Sequence, residues 1–155
     1  MKLRFSVTAI LSSALTAGAF AQQLAPAEGT KFFQTYITLS EAYDVSVADL
    51  YADDARIRSV RRYPTGQDRA MEVDGTKWKS LLRAAMPLAK AKGDRSEFRN
   101  IRAESAGDMV RIRADRYAVL KCYWDRQYFM LIGRRSDGRM QIVEEYMETR
   151  PESNC

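Results

Sequence analysis

The sequence contains no histidine among its 155 residues. This absence removes the commonest general base, the usual zinc ligand and every Ser–His or Cys–His nucleophile pair. Any chemistry would therefore depend on Asp, Glu, Tyr, Lys or Arg side chains. We predict neither a metal centre nor a cofactor.

Long apolar runs are also absent, except at the N-terminus. Lys2 and Arg4 precede an uncharged apolar stretch, and residues 19–21 (Ala-Phe-Ala) match the small-x-small pattern of signal-peptide cleavage. The stretch is shorter than the roughly 17–25 apolar residues of a membrane anchor and is interrupted by small polar residues. The sequence predicts a secretory signal peptide over residues 1–21, with cleavage before Gln22. We therefore expect a periplasmic or secreted protein with no membrane span after cleavage.

The expected mature chain, residues 22–155, is one domain of ordinary size with no internal repeat or linker. Loss of Lys2 and Arg4 lowers the net charge from +5 to +3. A mild basic excess of this kind is typical of a solvated surface. Because the protein is also expected to be exported, we predict that nucleic acid is not a partner.

Cysteine is scarce, and Cys122 and Cys155 are the two that occur. In an oxidising compartment a pair of cysteines is expected to form a disulfide. If Asp137-Gly138 is a two-residue hairpin turn, facing residues have numbers that sum to about 275. Cys122 then lies opposite Ser153, within reach of Cys155. The sequence favours an intramolecular disulfide over two free thiols or an intermolecular bridge.

The first half of the mature chain predicts three helices. Aromatic and apolar side chains recur at helical spacing over residues 31–43, and Ser46 can cap a short second helix. A third helix opens at Asp74-Gly75, and Gly93 suits the left-handed position after its last turn.

A short basic hairpin separates the second and third helices. Residues 55–63 read as a strand, with Arg56, Arg58 and Arg62 on one face and Arg61 on the other. Two interpretations are open for the arginine-rich face: a solvated surface that protects an edge strand, or an anion-binding patch.

Residues 96–149 predict three or four long antiparallel strands and leave no room for a helix. Period-two alternation is clear around residues 110–115, and Asp137-Gly138 is a strong hairpin signal. The second half of the chain is therefore expected to be a β-meander.

The order of these elements resembles the nuclear-transport-factor-2-like superfamily, which includes ketosteroid isomerase, scytalone dehydratase and polyketide-cyclase-like proteins. The resemblance covers nearly the whole mature chain and lies in residues 50–55 (LYADDA), in Asp74-Gly75 and in residues 137–146 (DGRMQIVEEY). It implies an α+β fold in which a strongly curved antiparallel sheet forms a cone around the helices of the N-terminal half. A pocket is expected at the open end. Met140, Glu144 and Tyr146 depart from the Trp and His residues of many relatives, which argues against histidine-based dehydratase chemistry.

Register arithmetic predicts the inner face of this cone. The turn at Asp137-Gly138 pairs Leu131 with Glu144 and Phe129 with Tyr146, and a turn near residues 123–124 pairs Arg116 with Leu131. The predicted concave face collects Phe98, Asn100, Arg116, Phe129, Leu131, Ile142, Glu144 and Tyr146.

Arg116 and Glu144 are the charges expected inside the cone. Three roles are open for them: an ion pair that only orders the wall, an arginine that holds an anionic ligand group, or a glutamate that accepts a proton.

The opposite face of the sheet is predicted to be apolar, and a homodimer through it is the simplest way to remove it from water, since family members often pair this way. The residues expected there are Tyr117, Met130, Ile132, Val143 and Met147.

The leading functional interpretation is a non-catalytic exported domain that binds a small, partly apolar ligand. One alternative is an isomerase, cyclase or dehydratase that uses Glu144 and a tyrosine. Another is a protein-interaction module, such as an immunity or secretion-complex component; the fold does not choose among them. The predicted ligand-binding residues are Tyr36, Trp78, Asn100, Arg116, Phe129, Glu144 and Tyr146.

Overall fold

The structure is a computed structural model that describes residues 23–155; the predicted signal peptide and its cleavage site lie outside this range. No helix within the range is long and apolar enough to cross a membrane. Short 3-10 turns at Val45–Leu50 and Val119–Lys121 accompany the main elements. The α-helices and β-strands, in chain order, are α1 (Pro26–Glu41), β1 (Tyr51–Arg62), β2 (Asp68–Asp74), α2 (Gly75–Lys92), β3 (Ser96–Ala106), β4 (Met109–Ala118), β5 (Tyr123–Asp125), β6 (Phe129–Arg134) and β7 (Met140–Thr149).

Both α-helices begin and end with local signals that the sequence contains. Pro26 occupies the first turn of α1, and the Glu28 carboxylate accepts a hydrogen bond from the backbone N–H of Ala25. Asp74 caps α2 by accepting from the N–H of Lys77, and Gly93 ends it with a φ of 65°. The prediction for α2 is confirmed, whereas α1 begins five residues earlier than the hydrophobic spacing indicated.

The predicted second helix is a single 3-10 turn. Its N-cap is Asp44, whose carboxylate accepts from the backbone N–H of Ser46 at 2.8 Å. The cap predicted at Ser46 is therefore wrong by two residues, because Asp44 offers the stronger acceptor. Two α-helices and this turn occupy the place of the three expected helices.

The seven strands form one curved, unclosed sheet in the order β2-β1-β7-β6-β4-β3, and β5 adds to the end of β4. All pairs are antiparallel except β1 with β7, which run parallel. The α+β class and the curved sheet around the helices are confirmed.

Helix α1 packs into the concave face of the sheet and forms the core. A Cβ added at Gly29 would lie 2.4 Å from Cγ1 of Val110, so α1 approaches β4 at a distance that only glycine permits. Burying this apolar surface is the main stabilising term. The sheet residues fully buried in this core are Ile57, Val110, Ile112, Met130, Ile132 and Ile142.

A β-bulge at Val143 reverses the alternation of side chains along β7. Ile132 pairs with Ile142, but the next residue on β6, Leu131, pairs with Glu144. Because one strand gains a residue here, the residues after the bulge point to the opposite face from the one that simple alternation assigns. Ile142 therefore faces the core, whereas Glu144 faces outward.

The predicted pairs of Leu131 with Glu144 and Phe129 with Tyr146 are confirmed. Their placement on the concave face is wrong. The bulge turns Glu144 and Tyr146 to the convex face, and Phe129 and Leu131 lie there because they alternate with the buried Met130 and Ile132. Glu145 faces the core instead and is fully buried.

A second irregularity separates the two ends of β3. Phe98 pairs with Arg116 as predicted, and the register shifts between Arg99 and Arg102. Asn100 lies in this shift with a φ of 53°, and its side-chain amide donates to the carboxylate of Asp115 at 2.8 Å. Asn100 is exposed and is not part of the concave face that alternation predicted.

The predicted pairing of Arg116 with Leu131 is also wrong. Leu131 lies opposite Arg111, and Arg116 lies opposite Asp125 of β5. The short strand β5 displaces β6 along β4, so the turn near residues 123–124 does not lead directly into β6. Arg116 and Glu144 consequently lie on opposite faces and form no ion pair.

The apolar residues assigned to a dimer interface are mostly core residues. Met130 and Ile132 are completely buried, and Val143 and Met147 pack against the same cluster. The apolar character of this residue set is explained by α1 rather than by a second copy of the chain. A homodimer stays a prediction, and the completely buried Met130 and Ile132 are not available to its interface.

Cys122 and Cys155 form the intramolecular disulfide that was predicted, with Cα atoms 5.3 Å apart. The C-terminal segment is also held by backbone contacts, since Asn154 donates its N–H to the carbonyl of Lys121 at 2.9 Å. Lys121 Nζ donates to the carbonyl of Pro151 at 2.6 Å. The tail is therefore attached to the turn between β4 and β5.

Candidate functional site: the interior of the cone

A buried glutamate with three tyrosines occupies the centre of the cone. Glu145 Oε2 accepts a hydrogen bond of 2.6 Å from the hydroxyl of Tyr51. Glu145 Oε1 accepts from the hydroxyls of Tyr128 at 2.8 Å and Tyr36 at 3.4 Å. These donors come from α1, the first residue of β1 and the residue before β6, so the carboxylate joins four separate parts of the chain.

Burial determines the protonation of this cluster. Desolvation raises the pKa of Glu145, while the hydrogen bonds from Tyr51 and Tyr128 and the positive charge of Arg116 oppose the shift. Burial, and then the negative charge of Glu145, raise the pKa of Tyr51 and Tyr128 well above the ordinary value. The tyrosine hydroxyls therefore stay protonated and act as donors.

A second buried charge lies beside the cluster. Arg116 Nε is 3.4 Å from Oδ2 of Asp125, and their side chains are 11% and 0% exposed. Arg116 also donates to Ser96 Oγ at 3.3 Å and to the carbonyl of Glu148 at 2.7 Å. Asp125 accepts backbone N–H groups from Glu148 and Gln127 at 2.8 and 2.9 Å. Burial nevertheless raises the pKa of Asp125.

A cavity of about 300 Å³ opens between α1, α2 and the start of β3. Its walls are largely aromatic or apolar, and Phe98 meets Tyr36 edge-on with ring centroids 6.2 Å apart. The lining residues are Tyr36, Ser40, Tyr43, Trp78, Leu82, Ala85, Met86, Ala89, Asp94, Arg95, Ser96, Phe98 and Arg116.

Solved structures share this arrangement of helices and curved sheet. An NTF2-like protein of unknown function from Pseudomonas putida superimposes with a TM-score of 0.60 at 13% identity, over 79% of this chain and 84% of that chain. The chain has the NTF2-like fold.

Two further NTF2-like structures agree. A protein of unknown function from Shewanella baltica gives a TM-score of 0.55 at 11% identity, over 79% of this chain and 91% of that chain. A protein with a cystatin-like fold from Novosphingobium aromaticivorans gives 0.53 at 12% identity, over 80% of each chain. No protein-family profile and no curated protein sequence matches the chain. The function of this NTF2-like domain must therefore be argued from its own residues.

Three of the predicted ligand-binding residues meet in the cavity of the NTF2-like cone. Tyr36 extends from α1, Trp78 from α2 and Arg116 from β4, and all three line the same space. The indole Nε1 of Trp78 is buried and has no hydrogen-bond partner among residues 23–155. A buried donor without an acceptor is costly, and this indole N–H approaches the hydroxyl of Tyr51, which does not line the cavity.

The other four predicted residues lie elsewhere. Phe129, Glu144 and Tyr146 line an open groove on the convex face of the sheet, and Asn100 is exposed at the irregularity in β3. The bulge at Val143 is the physical reason for the positions of Glu144 and Tyr146, whereas Phe129 faces the groove because the neighbouring Met130 faces the core.

Glu145 and Asp125 are the interior carboxylates that sequence reasoning missed. Glu145 follows Glu144 directly, and alternation alone assigns one of them to each face without saying which. A signal was present in the tyrosines, because the buried hydroxyls of Tyr36, Tyr51 and Tyr128 need a shared acceptor.

Proposed function

We propose that this chain is an exported, non-catalytic domain that binds a small, partly apolar ligand in the cavity between α1 and α2. The observation that carries the proposal is the cavity itself, with its aromatic walls and the guanidinium of Arg116. A volume of about 300 Å³ is at the lower end of the range for ligand pockets.

The polar groups of the cavity define what the ligand must offer. A guanidinium has five N–H donors, and Arg116 directs one each to Asp125, Ser96 and Glu148. The remaining Arg116 donors favour a ligand with a hydrogen-bond acceptor, such as a carboxylate or carbonyl. Tyr36 and Phe98 supply flat apolar surface for the rest of the molecule.

The glutamate cluster supports a structural role rather than catalysis. Both carboxylate oxygens of Glu145 already accept tyrosine hydroxyls, and Glu145 does not line the cavity. Tyr36 contacts Glu145 and lines the cavity, so it separates the two. A general base must reach the proton that it removes, and Glu145 reaches the cavity only through the hydroxyl of Tyr36.

Export is supported by the disulfide as well as by the N-terminal sequence. Disulfides persist in oxidising compartments and are rare in the cytosol. The Cys122–Cys155 bridge joins the C-terminal tail to the body of the domain. This is the type of bond that the periplasm or the extracellular space maintains.

Trp78 offers a direct test of ligand binding. The chain has two tryptophans, and a Trp124→Phe background leaves Trp78 as the only indole fluorophore. Benzoate and cyclohexanecarboxylate are titrated into this variant while the Trp78 emission is followed. A saturable change with at least one of the carboxylates is expected.

Two adjacent alanines of α2 provide the blocking variant and its control. Ala85 lines the cavity and Ala84 does not, and both are exposed. Ala85→Phe should abolish the saturable change, whereas Ala84→Phe should preserve it. The proposal is wrong if no probe binds and if native mass spectrometry of protein from the producing cells finds no co-purifying small molecule.

A further inference from the structure

Arg61 of β1 and Arg69 of β2 lie directly opposite each other in an antiparallel hairpin. Opposite residues of such a hairpin share one face of the sheet, with Cβ atoms roughly 4.5–5.5 Å apart, and like charges in this position are destabilising. Neither arginine forms a salt bridge within residues 23–155. The chain therefore holds two guanidinium groups together without neutralising them. We call these two residues the opposed pair.

The acidic residues of the hairpin are bound elsewhere and do not neutralise the opposed pair. Asp68 is paired with Arg62, and Glu72 is paired with Arg56 at 2.9 Å. The carboxylate of Asp74 caps α2. Along β2 these three acids alternate with the arginine of the opposed pair, so their side chains point to the other face of the sheet.

The hairpin stays positively charged when all of these carboxylates are counted. Residues 56–74 contain five arginines and three acidic residues, so their net charge is +2. Glu148 of β7 is a second partner of Arg62, and including its carboxylate leaves a net charge of +1. Arg58 also forms no salt bridge among the described residues, but it lines the groove on the convex face. The charge that remains on the other face is that of the opposed pair.

An open pocket of about 260 Å³ lies over the opposed pair. Among the described residues that line it, none is acidic and three carry a hydroxyl group. Thr149 of β7 pairs with Arg61 across the parallel strands, so its side chain lies on the same face. The pocket therefore offers guanidinium N–H groups and hydroxyl groups to one ligand. We call it the arginine pocket, and its lining residues are Ser59, Arg61, Tyr63, Arg69, Ala70, Met71 and Thr149.

An aromatic ring positions one of the two guanidinium groups. Arg69 Cζ lies 5.6 Å from the centroid of the Tyr63 ring. A guanidinium stacked on a ring uses its flat face for the contact and keeps its in-plane N–H donors free. Two neighbouring N–H groups of an arginine match two oxygens of a phosphate group, which is why arginine is common in phosphate sites. The stack therefore prepares Arg69 for an oxyanion rather than for a carbonyl.

We infer that the arginine pocket binds a phosphate group, either as the free ion or as a phosphate monoester. Arg61 and Arg69 are opposite neighbours, so one compact anion can contact both guanidinium groups. A phosphate monoester carries a charge of about −1.5 to −2 at neutral pH and neutralises both arginines, whereas a carboxylate neutralises one. The arginine pocket shares no lining residue with the cavity between α1 and α2, so this is a second site.

The test compares three exposed arginines that form no salt bridge in the described chain. Inorganic phosphate and glycerol 3-phosphate are titrated into the full mature chain by isothermal calorimetry at pH 8, where both are dianions. Arg61→Gln and Arg69→Gln should each weaken binding about fivefold, the effect of losing one partly exposed ion pair. Arg58→Gln removes the same charge from the convex face and should weaken binding less than twofold. Acetate at the same concentration should not bind measurably.

Thermal unfolding separates a ligand site from a structural role. Phosphate should raise the Tm of the wild type, because it binds the folded chain, and should not raise that of the Arg61→Gln, Arg69→Gln double variant. Without phosphate, Arg61→Gln should be at least as stable as the wild type, because it removes a like-charge repulsion. A clear loss of Tm in phosphate-free buffer would mean that the arginine stabilises the free protein, and would overturn the inference.

The two probes also distinguish the source of the phosphate group. Tighter binding of inorganic phosphate would support a site for the free ion, and tighter binding of glycerol 3-phosphate a site for an ester. Equal losses for all three single variants would reduce the effect to general attraction of a basic surface and would contradict the arginine pocket. Failure of both probes to bind would contradict it as well, whatever the result for the cavity between α1 and α2.

Discussion

The hydroxyl of Tyr51 donates a hydrogen bond of 2.6 Å to the carboxylate of Glu145, which lies 94 residues further along the chain. Both side chains are almost completely buried, at 1% and 0% exposure. Tyr128 and Tyr36 donate to the other carboxylate oxygen. The interior of the cone is therefore held by polar contacts as well as by apolar packing.

The three tyrosines should contribute to stability in the order of their hydrogen-bond lengths. Tyr51→Phe and Tyr128→Phe each remove a short bond to a buried carboxylate and should lower the free energy of unfolding by about 1.5–3 kcal/mol. Tyr36→Phe removes a bond of 3.4 Å and should cost less. Urea denaturation monitored by circular dichroism measures all three. Tyr63→Phe is the control, because Tyr63 lies far from Glu145 beyond the end of β1 and should change the free energy by less than about 0.5 kcal/mol.

Glu145 should also make stability depend on pH. Its pKa in the folded protein is raised by burial, above the value of about 4.3 expected for an unfolded chain. Between these two pKa values the folded protein retains a proton that the unfolded chain has lost. The stabilisation is therefore complete below the unfolded pKa and disappears as the pH rises through the folded pKa.

Comparison with a Glu145→Gln variant separates the contribution of Glu145 to the pH dependence of stability from the contributions of other titratable groups. Glu145→Gln cannot titrate at residue 145, whereas Asp125 and the surface carboxylates are present in both proteins. The free energy of unfolding of the wild type minus that of Glu145→Gln should decrease from pH 4 toward neutral pH. A difference that stays constant or increases over this range would contradict the raised pKa.

Sequence reasoning identified the ends of α2 from local residues, the α+β class from the order of the elements, and the disulfide from the register of the turn at Asp137-Gly138. Alternation of polar and apolar residues also paired Phe98 with Arg116 and Phe129 with Tyr146. It could not assign faces beyond Val143, because Ile142-Val143 is an ordinary branched apolar pair with no local signal of a bulge. The bulge is visible only in the pairing of β7 with β6, which a single sequence does not show. The interior site was therefore partly predicted, with Tyr36, Trp78 and Arg116 correctly brought to one place.

Arg116 should be energetically coupled to Asp125 and not to Glu144. Removing Arg116 strands the buried Asp125 carboxylate, so Arg116→Met should destabilise strongly. In a double-mutant cycle, Arg116→Met with Asp125→Asn should deviate from additivity by more than about 1 kcal/mol. Arg116→Met with Glu144→Gln should be additive within about 0.5 kcal/mol, because the two side chains lie on opposite faces. The reverse pattern in chemical denaturation would place Glu144 inside the cone.

The disulfide should stabilise the domain by constraining the unfolded chain. Cys122 and Cys155 are 33 residues apart, and a closed loop of this length is worth roughly 3–4 kcal/mol in the chain-entropy model. Cys122→Ser with Cys155→Ser should lower the Tm and remove the linked peptide from a non-reducing digest. Reduction of the wild type should give the same Tm as the double variant. Two alkylated thiols in folded protein recovered from the periplasm would contradict the bridge.

The extra residue at Val143 also affects how this chain should be compared with its relatives. In a relative whose last strand lacks the bulge, side chains alternate between the two faces of the sheet without interruption. After the position of Val143, a residue at the same count along the strand therefore faces the opposite side of the sheet in the two proteins. Aligned without a gap, the surface residues of the relative would be matched to Glu145 and its interior residues to Glu144 and Tyr146. A gap beside Val143 restores the match, so the alignment of functional residues in this strand depends on where that one gap is placed.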